Sequence, residues 1–142
     1  IGNEYGRKNK RNITKIIISS CIISCIFALL YSIIFYFFSM KIIGIITPLN
    51  EVLFETKKYI TWIIISPLVS FLAFQLDGVF IGANKTKIMR NTVFQSFIIY
   101  LLSLIILVPL YDNHGLWISF LIFISFRGLL LLTQYKKIYQ FN

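Results

Sequence analysis

The sequence predicts an all-α integral membrane protein that crosses the bilayer four times. Its 142 residues are 58% hydrophobic and only 13% charged, and the mean hydropathy is +0.81. A soluble domain of this size could not bury so much apolar side chain, because its surface is large relative to its volume. The apolar residues also fall into four long runs, each near the ~20 residues that a spanning helix needs. We therefore expect the chain to pack in lipid.

The four predicted spanning helices follow one another with short polar connections. They cover about residues 16–40, 59–83, 92–111 and 116–135. Tyrosine and tryptophan cluster near the ends of these runs, where amphipathic rings settle at the membrane interface. Residues 1–15 are predicted to be a polar loop, and residues 16–142 a single four-helix unit.

The connections predict one further element. In "TPLNEVLFETKK", Thr47 can cap a short helix, with Pro48 at its first position and Glu51 in its first turn. Its apolar face predicts a brief interfacial helix over about residues 48–58 that lies on the membrane. "NKTKIMRN" links the second and third runs, and "DNHG" makes a tight turn in which His114 is expected to face water.

The distribution of positive charge predicts the orientation. Ten of the fourteen Lys and Arg residues lie before the first run, between the second and third, or after the fourth. Three lie on the opposite side, diluted by Glu51 and Glu55. The positive-inside rule therefore places both ends of the chain on the cytoplasmic side of the membrane.

Composition also argues against several functions. The net charge of +9 is carried by residues that flank apolar runs, so no nucleic-acid partner is predicted. Cys21 and Cys25 lie four apart in an apolar run and are expected to be packing residues rather than a disulfide or zinc site. No catalytic motif, metal site or cofactor site is predicted, and an enzyme is not expected. The absence of an initial methionine suggests a piece of a longer protein.

Two charged residues lie inside apolar runs at similar depths. Asp77 is six residues from Ala83, and Arg127 is eight residues from Tyr135. At ~1.5 Å per residue these positions are about 9 and 12 Å from the helix ends on the cation-rich side. A buried carboxylate is costly in hydrocarbon, so we expect Arg127 to neutralise Asp77. Such a pair is either a structural staple or part of a substrate or proton pathway, and the sequence leaves both open.

Other polar residues accompany Asp77 on the second run. The spacing of Ser66, Ser70 and Asp77 places them on one helix face, whereas Gln75 points to another side. All of them are candidates for a substrate or ion pathway. Pro67 removes a backbone hydrogen bond and is expected to bend the helix near this stripe.

A pair of glycines follows the stripe. Gly78 and Gly82 form a GxxxG pair, at which a second helix could approach closely.

Two longer strings resemble a known family. "QLDGVFIGANKTKIMRN" and "NHGLWISFLIFISFRG" are similar to strings in the C-terminal helices of multidrug and toxic compound extrusion (MATE) transporters, most of all in the DNA-damage-inducible-F branch. "IGNEYGRKN" resembles the loop that follows the eighth helix in such proteins.

The resemblance implies a twelve-helix fold with two six-helix lobes, of which this chain would supply helices nine to twelve. The partners would be the lipid bilayer, the N-terminal lobe, the remaining C-lobe helices, a small-molecule substrate and a proton or sodium ion. The implied activity is export of organic cations or other amphipathic compounds in exchange for that ion. The alternatives are a lipid-linked oligosaccharide flippase of the same superfamily and a non-transporting membrane assembly subunit.

Overall fold

The computed structural model describes residues 1–141 as an almost entirely helical chain, with no strand among them. Three long helices dominate, with a short helix at one end of the chain and a 3-10 helix at the other. The elements are α1 (Gly2–Gly6), α2 (Lys10–Ile46), α3 (Asn50–Gly82), α4 (Thr86–Thr133) and the 3-10 helix Tyr135–Tyr139. The predicted all-α class is confirmed, and each of the three long helices is long and apolar enough to cross a membrane.

Helix α2 begins earlier than the first apolar run. The Asn9 side chain accepts a hydrogen bond from the backbone N–H of Asn12 at 3.2 Å, which caps the first turn at Lys10. Residues 1–15 are therefore helical over much of their length rather than a loop. The helix ends at Ile46, because Thr47 precedes a proline and adopts the extended conformation that this position favours.

Helix α3 is not divided at residue 58, where the sequence predicts the boundary between an interfacial helix and the second spanning helix. The expected interfacial helix and the second spanning helix form one continuous helix from Asn50 to Gly82. Residues 50–59 contain neither glycine nor proline, so nothing in the backbone interrupts the helix there. Pro67 lies inside α3 without ending it.

Helix α4 folds back on itself at Asp112, where the sequence predicts a turn between the third and fourth spanning helices. Asp112 adopts φ 48° and ψ −131°, which breaks the helix into limbs 86–111 and 113–133. At Gly115 an added Cβ would lie 2.2 Å from the carbonyl oxygen of Leu107, so only glycine permits this close turn. Further along, the rings of Tyr100 and Phe123 lie 5.7 Å apart, which shows that the limbs run side by side.

Helix α3 is the centre of the arrangement, since it packs against both α2 and α4. The best-buried apolar residues gather at the end of the molecule where both chain ends meet: Ile13, Ile17, Leu76, Val79, Phe80, Ala83, Leu131 and Ile138. Much of the remaining apolar surface is exposed, as expected for a protein that packs against lipid.

Hydrogen bonds at the same end of the molecule join its N-terminal and C-terminal segments. Tyr139 Oη lies 2.9 Å from Thr14 Oγ1 and 2.8 Å from Tyr135 Oη. Tyr5 Oη donates to the carbonyl oxygen of Gln140 at 2.9 Å. These contacts fasten the C-terminal segment to α1 and to the start of α2.

A candidate transport site between α3 and α4

The predicted ion pair between Asp77 and Arg127 is present. Arg127 Nη2 lies 2.6 Å from Asp77 Oδ2, which joins α3 to the second limb of α4. The side chains are only 11% exposed for Asp77 and 17% for Arg127. A contact this short between charged groups is a charge-assisted hydrogen bond, and it neutralises the embedded carboxylate.

The pair is incomplete. Asp77 Oδ1 and Arg127 Nε are both buried, and neither has a hydrogen-bond partner within residues 1–141. An arginine and a carboxylate can form two parallel hydrogen bonds, but here only one is made. One carboxylate oxygen is thus available to a proton, a cation or a donor group. A buried polar atom left unpaired costs about 1–3 kcal/mol.

Close packing beside the pair depends on Gly128, which the sequence analysis did not single out. An added Cβ at Gly128 would lie 3.5 Å from the Cβ of Ala73, and Ala73 is buried one turn before Asp77 on α3. Small residues at both positions bring the helices near enough for Arg127 to reach Asp77. The signal available in the sequence was the glycine next to the embedded arginine.

The predicted helix contact at Gly78 and Gly82 is not seen in the described chain. Gly78 has no atom within 4 Å of an added Cβ, and Gly82 faces the N-terminal residue Ile1 at 3.0 Å. Gly78 is exposed, whereas Leu76, Val79 and Phe80 around it are buried, so the helix contacts at this level lie on other faces of α3. The close helix contact lies at Gly128 and Ala73 instead.

Ser66 and Ser70 lie beside Pro67, and their hydroxyls bond locally. Pro67 has no N–H to donate to the carbonyl oxygen of Ile63, four residues earlier. The Ser66 hydroxyl donates to that oxygen at 3.3 Å, and the Ser70 hydroxyl lies 3.5 Å from the carbonyl oxygen of Pro67. The Ser66 bond satisfies the carbonyl that the proline would otherwise leave unpaired, and α3 continues through the site.

Both serines line a cleft of about 430 Å³ between α2, α3 and the second limb of α4. Five aromatic side chains contribute to its wall, namely Phe27, Tyr31, Phe71, Phe74 and Phe120. Ser24 from α2 and Ile124 from α4 also line it. Ile124 precedes Arg127 by three residues, so the ion pair lies about one helical turn beyond the cleft.

Gln75 faces α2, on a different side from Asp77, as the spacing predicts. Ser24 Oγ donates to Gln75 Oε1 at 2.9 Å, and Gln75 Nε2 donates to Ser20 Oγ. Ser20 and Ser24 were missed as site residues. Their spacing of four on an apolar helix was the available signal, but only the fold shows that Gln75 lies opposite them.

The other end of the helices carries a second cleft of about 400 Å³, lined by Glu51, Val52, Glu55, Thr56, Tyr59, Ile63, Asn113 and Trp117. Beside it, Trp62 Nε1 donates to His114 Nδ1 at 2.9 Å, and the Tyr59 ring lies 5.0 Å from the His114 ring. His114 is exposed but is thus held by aromatic neighbours. Among residues 1–141, no three His, Cys, Asp or Glu side chains group as metal ligands.

Comparison with known proteins defines the class. The MatE family model matches residues 1–106, and the chain therefore belongs to the MatE family, whose members are transporters rather than enzymes. The chain is 31% identical to the DNA damage-inducible protein F of Escherichia coli strain K12 over 136 residues. That alignment covers 96% of the chain and 29% of the relative, so the chain spans less than a third of the length of this relative. No solved structure matches the chain.

Proposed function

We propose that the chain forms the C-terminal four-helix part of a secondary active exporter in a bacterial inner membrane. The exporter moves organic cations or other amphipathic compounds outwards in exchange for protons or sodium. Family membership supports this assignment, and the charge bias favours a topology with both ends in the cytoplasm. The partners are the lipid bilayer, the N-terminal lobe and the remaining C-lobe helices.

The observation that carries the proposal is the cleft beside an incomplete ion pair. Aromatic faces and serine hydroxyls suit an amphipathic compound, because aromatic rings attract organic cations and hydroxyls orient polar groups. The unpartnered Asp77 oxygen, one turn away, can respond to a proton or cation. Substrate and coupling ion would thereby act on the same pair of helices.

A substitution in the cleft tests the proposal. Ser70 is buried and lines the cleft, so Ser70→Phe is expected to fill part of it and abolish export of a fluorescent organic cation by the full-length protein. Ser103→Phe is the matched control, because Ser103 lies on the first limb of α4, away from this cleft. Equal export by both variants, at equal membrane abundance, would contradict a role for the cleft in the substrate path.

A further inference from the structure

A polar groove lies on α4 at its cation-rich end. Its two parts share Asn91 and Gln95. One part, of about 180 Å³, lies between the limbs of α4 and reaches Gln134 and Lys137, and the other, of about 250 Å³, reaches Arg90 and Phe94. The groove is separate from the cleft and the ion pair described above.

Four polar side chains of this groove have no partners in the described chain, whereas Thr92 and Gln134 bond to residues of α4. The side chains of Arg90, Asn91, Gln95 and Lys137 are exposed, and they make no hydrogen bond or ion pair within residues 1–141. No carboxylate lines either part. Gln95 lies three residues inside the predicted apolar run 92–111, about 4.5 Å from its start, where an unpaired amide that meets hydrocarbon is costly. A ligand that brings acceptor oxygens to this depth would remove that cost.

We infer that this groove binds the headgroup region of an anionic glycerophospholipid in the leaflet that the charge bias assigns to the cytoplasm. From the membrane surface inwards, the side chains that line the groove follow the order of the phosphate, ester and acyl groups of such a lipid. Arg90 and Lys137 face the phosphate, since guanidinium and ammonium groups bind it by charge-assisted hydrogen bonds. The amides of Asn91 and Gln95 donate to the ester carbonyl oxygens, and the acyl chains lie along Phe94 and Leu130. The site does not depend on the proposed transport activity.

Native mass spectrometry of the full-length protein that carries these residues tests the site. The protein is titrated with phosphatidylglycerol or with phosphatidylcholine of the same acyl chains. We expect preferential retention of phosphatidylglycerol, and excess inorganic phosphate is not expected to displace it, because phosphate lacks the acyl chains.

Two variants separate a built site from general surface charge. Arg90→Gln with Lys137→Gln removes both phosphate ligands. Its retention of phosphatidylglycerol is expected to be lower than that of a control variant by at least about tenfold. The control, Arg11→Gln with Lys15→Gln, removes the same charge from the same end of the molecule, outside the groove. Gln95→Leu removes no charge and is expected to lower retention to an intermediate level.

Three outcomes would overturn the inference. The first is equal retention of both lipids by the protein. The second is equal retention of phosphatidylglycerol by the double variant and its control, together with no effect of Gln95→Leu. The third is the absence of any retained lipid, because other parts of the protein cover the groove.

Discussion

At the scale of single residues, the ion pair of Asp77 and Arg127 can be explained in two opposed ways, as a structural staple or as a coupling site. A structural staple needs a tight, complete pair, whereas a coupling carboxylate must be able to change partners. The structure shows a short bond and two unpaired atoms side by side. The short bond fits a staple and the unpaired atoms fit a coupling site, and a double-mutant cycle separates these roles.

Removing one member of the pair strands the other. If the pair is a staple, Asp77→Asn and Arg127→Gln should each lower stability by about 3–5 kcal/mol, the cost found for broken buried pairs in soluble proteins. The double variant should recover much of that loss, as measured by thermal unfolding of the full-length protein. If Asp77 carries the coupling proton, Asp77→Asn should fold well and lose the pH dependence of flux. A double variant no more stable than the worse single variant rules out the staple.

Two glycines give a matched pair of variants with opposite expectations. Gly115→Ala places a methyl group 2.2 Å from the Leu107 carbonyl oxygen, so backbone must move and stability should fall by about 1–3 kcal/mol or more. Gly78→Ala meets open space in the described chain and should raise stability slightly through helix propensity, by ~1 kcal/mol at most. Thermal unfolding in detergent measures both. A destabilising Gly78→Ala would show that another part of the protein packs there.

At the scale of elements, the hairpin within α4 sets the number of membrane crossings. Asp112 breaks the helix, and Gly115 lets the limbs approach, so α2, α3 and the two limbs provide the four crossings that the sequence predicts. In a cysteine-free background, cysteines placed at Asn50 and Asn113 should be labelled from outside the cell. A cysteine at Thr86 should be labelled only after permeabilisation. Labelling of Thr86 from outside would contradict the arrangement with both ends in the cytoplasm.

Comparison of the predicted and observed helices shows which features the sequence alone can predict. Apolar runs locate the spanning segments, and depth counting finds the partner of Asp77, because both depend on helix rise and on the cost of burying charge. The continuity of α3 past residue 58 was missed, because an apolar face is equally consistent with an interfacial helix and with the start of a spanning one. The roles of Gly128, Ser20 and Ser24 were missed because they depend on which helix faces meet, and periodicity within one helix does not contain that information.

At the scale of the whole molecule, burial is uneven. The well-packed core occupies one end, whereas large apolar side chains such as Phe27, Phe74 and Phe120 remain partly open around the cleft. In the proposed exporter the N-terminal lobe would face this cleft and complete the cavity. The four helices would then supply one wall of the substrate path together with the ion pair.

Gradient-driven flux measured on the purified full-length protein tests the proposed export most directly. Proteoliposomes are given a proton gradient or a sodium gradient, and movement of a lipophilic organic cation is followed. The proposed function predicts uphill movement that requires one of the two gradients and stops when that gradient is dissipated. Movement no faster than in protein-free liposomes, or indifferent to both gradients, would contradict an ion-coupled exporter and would favour an assembly subunit or a flippase.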